Sequence, residues 1–224
     1  MIKIFLDSGD LETIKKYKDR VDGFTTNPTL IRKAEVKDYE KFCKEVLEVV
    51  GDKPVSFEVF ADDFDEMERQ ARIISSWGEN IYVKIPITNT KGESSSDLIK
   101  KLSKNIKINI TAVFTLEQFY SIKTFEPAII SVFAGRIADT GESPISIIRT
   151  IKSKSIMTFE EILWASSREV LNIYQAEQAD ADIVTVSPDL FDKYEKMKGK
   201  DLNELSLDTV KQFYNDAKES GYKL

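Results

Sequence analysis

The 224 residues carry 42% hydrophobic and 31% charged side chains, a globular balance that excludes a disordered chain and can build a core unaided by disulfides. A net charge of −6 excludes a general nucleic-acid binder, which presents a strong basic face. There is no histidine, which removes Ser-His-Asp and Cys-His nucleophile systems, His-containing zinc sites and most proximal haem ligation. The single cysteine, Cys43, permits no intrachain disulfide, which fits a reducing compartment. The opening segment from Met1 to Asp7 lacks the apolar stretch of a secretory signal, and no run approaches the ~20 apolar residues of a spanning helix. The expectation is a cytoplasmic protein with neither a membrane nor a nucleic acid as partner. Any chemistry must come from Lys, Asp, Glu, Tyr, Ser, Thr or an all-oxygen metal site.

Short runs rich in β-branched and aromatic residues predict eight strands, at Ile2–Asp7, Gly23–Asn27, Val55–Ala61, Ile81–Ile87, Ile108–Phe114, Ala128–Phe133, Ile162–Ser166 and Asp182–Val186. Segments of helical periodicity alternate with them. Leu11, Ile14 and Tyr17 follow the first strand, and Phe64, Met67, Ala71 and Ile74 follow the third. Leu116, Phe119 and Tyr120 follow the fifth, and Val170, Ile173 and Tyr174 the seventh. Cys43 sits on the apolar side of a helix between the second and third strands and reads as a small core residue. The polar stretch Thr88–Ser96 reads as a loop leading into a helix. Strict alternation predicts βα units and a parallel sheet. Eight of them suggest a closed (β/α)8 TIM barrel spanning residues 1–224 as one domain. A doubly wound open sheet is the alternative, but no Gly-x-Gly-x-x-Gly follows the first strand. Residues from about 189 to 224, with Leu207, Val210, Phe213, Tyr214 and Ala217, form an amphipathic C-terminal helical extension, suited to capping the barrel or docking on another subunit.

Lys84 stands out, in Ile81-Tyr82-Val83-Lys84-Ile85-Pro86. Burying an ammonium in an apolar strand is costly, so such a lysine either snorkels, pairs with a carboxylate, or serves as a desolvated nucleophilic amine. Its company favours the last reading. Asp7 ends the first strand, Thr26 and Asn27 the second, and Glu58 lies within the third. Asn109 and Thr111 share a face of the fifth, Ser131 and Arg136 belong to the sixth, and Ser166 and Arg168 end the seventh. In a barrel the C-terminal strand ends converge on one mouth, where such enzymes hold their active sites. Among these groups Lys84 is the covalent nucleophile, Glu58 and Asp7 are available for proton transfer, and the two arginines suit a phosphate. Asp62, Asp63 and Asp65 form an acidic cluster without calcium-loop spacing, and read as helix N-terminal carboxylates rather than a metal site.

At these residues the chain resembles the transaldolase family, including its small bacterial branch near fructose-6-phosphate aldolase. The matching stretches include Phe5-Leu6-Asp7-Ser8, Thr25-Thr26-Asn27-Pro28-Thr29-Leu30, Val55-Ser56-Phe57-Glu58-Val59, Val83-Lys84-Ile85-Pro86, Asn109-Ile110-Thr111, Ser131-Val132-Phe133-Ala134-Gly135-Arg136-Ile137, Trp164-Ala165-Ser166-Ser167-Arg168 and Thr185-Val186-Ser187-Pro188. They run in the family's order over nearly the whole chain. The resemblance implies that Lys84 binds a ketose as an imine and that Asp7 takes the C4 hydroxyl proton. It implies that Glu58 and Thr111 hold a proton-relaying water. Asn27, Asn109 and Ser131 would grip the dihydroxyacetone unit, and Arg136, Arg168 and Ser166 the sugar phosphate. Thr26 would support the loop. No cofactor and no metal are implied. Simple aldolases of the family carry glutamine at the Glu58 position and tyrosine at the Phe133 position, so the implied reaction is transfer of dihydroxyacetone to an aldose acceptor. Fructose-6-phosphate aldolase activity, or transfer from another ketose such as a sulfonated one, is the alternative. A silent barrel that only binds sugar phosphates is a third possibility, and intact Lys84, Glu58 and Asp7 argue against it. Small relatives form ring-based decamers, so the resemblance implies a homo-oligomer, a pentamer or decamer.

Overall fold

The computed structural model describes residues 2–122, 128–155 and 160–224. Eight parallel strands close into a barrel in sequence order, with the last paired to the first. They are β1 (Lys3–Asp7), β2 (Gly23–Thr25), β3 (Val55–Glu58), β4 (Ile81–Pro86), β5 (Ile108–Val113), β6 (Ala128–Val132), β7 (Glu161–Trp164) and β8 (Ile183–Val186). The helices among the described residues are α1 (Leu11–Tyr17), α2 (Pro28–Lys33), α3 (Tyr39–Val50), α4 (Phe64–Ser75), α5 (Ser96–Leu102), α6 (Leu116–Ser121), α7 (Ala134–Ala138), α8 (Pro144–Ser155), α9 (Leu171–Gln178), α10 (Pro188–Met197) and α11 (Leu202–Ser220). The open-sheet alternative is thereby removed. None of these helices is long and apolar enough to cross a membrane.

Helix starts follow local chemistry. Asp10, Asn27, Asp38, Asp63 and Thr115 each accept a hydrogen bond from a first-turn backbone N–H, satisfying donors that the helix itself cannot. The acidic cluster after β3 is spent this way. Asp63 caps α4, while Asp62 accepts from the backbone N–H and the hydroxyl of Thr90 and so pins the loop after β4. The outward faces of the strands meet the apolar stripes of the helices, with Ile14 and Tyr17 from α1, Phe42, Cys43 and Val46 from α3, and Met67, Ala71 and Ile74 from α4 all buried. Tyr120 and Tyr174, expected to share the buried stripes of α6 and α9, are 55% and 45% exposed because both helices are short and bury only part of one face. Inside the barrel Phe5, Ile129, Leu163, Ala165 and Ile183 pack together, with Tyr82 and Phe133 against them.

Each strand begins within a residue of its expected start. β1 and β8 also end where the pattern ends, whereas the six strands between them stop one to three residues short. Past those stops Thr26, Val59, Ile87, Phe133 and Ala165 each still donate an N–H to a neighbouring strand, and the chain then leaves the ladder toward the barrel mouth. Thr26 and Asn27 therefore lie beyond β2, Arg136 lies on α7 rather than in the sixth strand, and Ser166 and Arg168 lie in the loop after β7. β5 carries a bulge between Ile110 and Val113, with Ala112 at φ +59°, so that Thr111 and Ala112 both reach the mouth.

Two compact units divide the chain at residue 191. The first holds the barrel. The second, Asp192–Leu224, contains α11, which is capped at its start by Asp201 and ends on Gly221 at φ +66°. No residue of α11 is buried, and Leu207, Val210, Phe213 and Tyr214 are all more than half exposed.

Candidate active site

The C-terminal strand ends and the loops that follow them enclose a cavity of about 790 Å³. Lys84 reaches it from the middle of β4 and is 6% exposed. Its Nζ lies 3.0 Å from Glu58 Oε2 and donates to the Thr26 carbonyl at 2.8 Å. The ammonium thus exchanges hydration for a carboxylate and a fixed carbonyl, which is what a buried lysine requires. The pairing follows from the ladder, because Glu58 stands directly opposite Lys84 in the β3–β4 register.

Asp7 closes the barrel side of the cavity. Its Oδ1 accepts from the Thr25 hydroxyl at 2.9 Å, which is within 2.8 Å of the Thr185 hydroxyl, and its Oδ2 accepts from Asn27 Nδ2 at 3.3 Å. Burial pushes the Asp7 carboxyl above the usual aspartate range, against the opposing pull of the Lys84 charge and the Thr25 hydroxyl. A raised affinity for protons makes it a stronger base once ionised. Asn27 holds two posts, since its Oδ1 also caps α2 by accepting from Leu30 N–H.

Across from these, Thr111, Ser131, Phe133, Arg136, Ser166 and Arg168 line the wall. The Arg136 guanidinium stands 5.3 Å from the Phe133 ring centre, and Arg168 pairs with Asp139 at 2.9 Å. Ser166 adopts φ +64°, a left-handed conformation that turns the chain between β7 and Arg168. Gly135 makes room for it, since a Cβ there would overlap the Ser166 carbonyl oxygen. Nine of the ten sequence-predicted site residues line this one cavity. Asn109 does not. It is fully buried beneath the floor, where it donates to Ser56 Oγ at 3.0 Å and accepts from Ser131 Oγ at 2.6 Å, so its side chain orients Ser131.

Sequence reading missed Lys33, Thr25, Ser167 and Thr185, which also line the cavity. Thr25 and Thr185 face inward from β2 and β8 and are indistinguishable in sequence from ordinary β-branched strand residues. Lys33 reaches the mouth from the last turn of α2, where a lysine also reads as a favourable helix C-terminal charge. With it, four basic residues face two acidic ones in the cavity of an acidic protein.

A parallel barrel that buries a lysine–carboxylate pair at its mouth, beside a second carboxylate and two arginines, has the constitution of an enzyme active site. Residues 4–224 match the profile of the family described as transaldolase/fructose-6-phosphate aldolase. A "probable transaldolase 2" of Listeria monocytogenes is 36% identical over 197 residues, covering 86% of this chain and 88% of the relative. A "probable transaldolase" of Lactiplantibacillus plantarum is 37% identical over 198 residues, covering 86% and 88%. The chain belongs to the transaldolase/fructose-6-phosphate aldolase family and is an enzyme of the aldolase and transferase kind. Among solved structures, a member of the enolase superfamily from Agrobacterium tumefaciens aligns with a TM-score of 0.62 at 11% identity, over 87% of this chain. The chain spans about half of that structure, 51% of its length. A KGPDC from Streptococcus mutans aligns with a TM-score of 0.55 at 12% identity, over 83% of this chain and 88% of that one. At those identities the likeness concerns the barrel alone.

Proposed function

We propose that the protein transfers a dihydroxyacetone unit from a ketose phosphate of the fructose 6-phosphate type to an aldose acceptor, through a Schiff base on Lys84. The observation that carries this reading is the Lys84 amine held 3.0 Å from the Glu58 carboxylate at the cavity floor. The neutral amine adds to the C2 carbonyl, and loss of water from the carbinolamine leaves an imine. Glu58, with Thr111 on the same cavity wall, supplies and removes the protons of that dehydration through a water. Asp7 accepts the C4 hydroxyl proton, the C3–C4 bond breaks, and its electrons pass into the iminium to give an enamine and a free aldose phosphate. The enamine carbon then attacks the acceptor aldehyde, and hydrolysis returns Lys84. Arg136, Arg168 and Ser166 serve the phosphate, and the surplus of basic groups in the cavity supports an anionic substrate.

Borohydride reduction with fructose 6-phosphate, followed by peptide mapping, tests the reading. The expected result is one stable adduct, on Lys84. An adduct with a sulfonated or unphosphorylated ketose alone keeps the mechanism and changes the donor. No adduct with any ketose removes the proposed function.

Transfer, rather than release of free dihydroxyacetone, follows from Glu58 and Phe133. Release requires protonation of the enamine carbon, and the Phe133 ring on the cavity wall has no proton to give. Glu58→Gln combined with Phe133→Tyr is expected to raise the aldolase-to-transferase ratio roughly tenfold or more, within what one positioned proton donor commands. Parallel assays of free dihydroxyacetone and of acceptor-dependent product measure it, and an unchanged ratio sinks the branch assignment.

We also infer that the chain self-associates through α11, whose apolar side chains are left unburied within one chain. Sedimentation of the full chain is expected to show a pentamer or decamer that Phe213→Asp disrupts. A monomeric wild type refutes it.

A further inference from the structure

One rung of the barrel ladder is supplied by a side chain. In the β2–β3 pairing Phe24 lies opposite Val55 and Thr25 opposite Ser56. The Phe24 N–H donates to the Pro54 carbonyl, and the Thr26 N–H to the Ser56 carbonyl. A parallel ladder of that register would next send the Glu58 N–H to the Thr26 carbonyl. Instead the Glu58 N–H donates to the Tyr39 hydroxyl at 3.1 Å, and that hydroxyl donates in turn to the Glu58 carbonyl at 2.8 Å. The Thr26 carbonyl, released from the ladder, accepts Lys84 Nζ.

Tyr39 is well placed for this. It opens α3, and its ring stands edge-on to Phe60 at 5.5 Å and 6.4 Å from Trp77. A phenol both donates and accepts, so a single oxygen closes both bonds. Burial raises its proton affinity well above that of an ordinary tyrosine, and the donor is present at any physiological pH. The strand after Glu58 is held separately, by Gln70 Oε1 accepting from the Phe60 and Ala61 N–H groups.

We propose that Tyr39 is a positioning residue that takes over the Glu58 rung and thereby frees the Thr26 carbonyl to hold the Lys84 amine against the Glu58 carboxylate. The groups facing that amine are Glu58 on β3, the Thr26 carbonyl just past β2, and Asp7 on β1. Its kinetic consequence rests on the Schiff-base reading of Lys84, whereas the exchange of hydrogen bonds is testable without substrate.

The test is Tyr39→Phe in the full chain, which deletes one oxygen and keeps the ring between its neighbours. The unpaired Glu58 N–H then draws the Thr26 carbonyl back into the ladder, and Lys84 loses an acceptor that favours its charged form. Competitive acetylation without substrate, mapped by mass spectrometry, is expected to label Lys84 about threefold faster, the scale of losing one hydrogen bond that holds the amine. Lys53 and Lys152, which bond the Val21 carbonyl and Asp182, serve as controls and stay unchanged. With fructose 6-phosphate, kcat is expected to fall roughly tenfold, since small misplacements near reacting atoms cost this much or more, while KM stays within about twofold. Tyr39→Gln, which can donate and accept, restores part of both. Unchanged Lys84 labelling overturns the proposal whatever the kinetics, and changed labelling with wild-type kcat overturns the positioning role. If the wild type traps no ketose, the Schiff-base reading fails alone and the labelling contrast still decides Tyr39.

Discussion

Lys84→Met is expected to abolish both borohydride trapping and turnover, with a loss on the order of 10⁶-fold, the scale of deleting a covalent nucleophile. The size follows from what the amine supplies. In the proposed mechanism its imine makes C2 the electron sink for cleavage of the C3–C4 bond, and no neighbouring group can replace it. Glu58 and Asp7 cannot form an imine, and the Thr26 carbonyl only accepts. Methionine approximately fills the volume of the lysine stem, and the flanking Val83 and Ile85 face the other side of β4, so the packing of the strand is kept. The Glu58 carboxylate loses its cation, but its side chain is 18% exposed and can be hydrated from the cavity. Circular dichroism should therefore report a folded protein. Turnover of the wild type is expected to persist in the presence of a chelator, because no step requires a metal. Substantial turnover by folded Lys84→Met would remove the Schiff-base assignment.

Asp7→Asn should separate the two halves of the reaction. In the proposed mechanism imine formation lies with Lys84 and Glu58, so borohydride should still trap the ketose. Cleavage needs a base at the C4 hydroxyl, which the amide cannot provide, and kcat is expected to fall roughly 10²- to 10⁴-fold. Asparagine is isosteric and can still accept from Thr25, but its NH2 group cannot accept from Asn27, so one hydrogen bond of the wild type is lost. Stability should move in the opposite direction. Burial raises the folded-state proton affinity of Asp7 above its unfolded value, so unfolding releases a proton and stability falls as pH rises from the ordinary aspartate range through the native one. At neutral pH the wild type carries that penalty and Asp7→Asn does not. The variant is expected to melt higher at pH 7, with the difference shrinking in acid, as thermal melts across the pH range would show. A variant that melts lower at pH 7 would contradict the burial argument, and one that cleaves at the wild-type rate would remove Asp7 as the base.

Much of the site was legible because isolated polar residues in apolar strands are expensive and therefore conspicuous. Lys84 and Glu58 stood out in this way, as did Asn109 among isoleucines. Their functions separated only in three dimensions. Asn109 is as anomalous in sequence as Lys84 and stands opposite it in the β4–β5 register, yet its side chain is tied to Ser56 and Ser131 and does not line the cavity. The ends of β2 to β7 were overestimated because the side-chain pattern continues after the regular two-way ladder has ended. Thr26 still alternates correctly after β2, but its carbonyl has left the ladder for Lys84. Tyr39 gave no signal at all, since an aromatic residue at the start of an amphipathic helix reads as part of its packing.

The sequence by itself determined the alternation of strands and helices, the caps of the helices and the set of groups able to do chemistry. These are local properties, fixed by side-chain periodicity and by the absence of histidine. Only the tertiary structure decided which polar groups meet. The pairing of Glu58 with Lys84 depends on the β3–β4 register, and the raised proton affinity of Asp7 on what closes over it. The rung that Tyr39 supplies joins residues 19 positions apart and depends on where β2 stops. Register and burial arise only when the barrel closes, because each is a property of what stands beside a residue rather than of the residue itself.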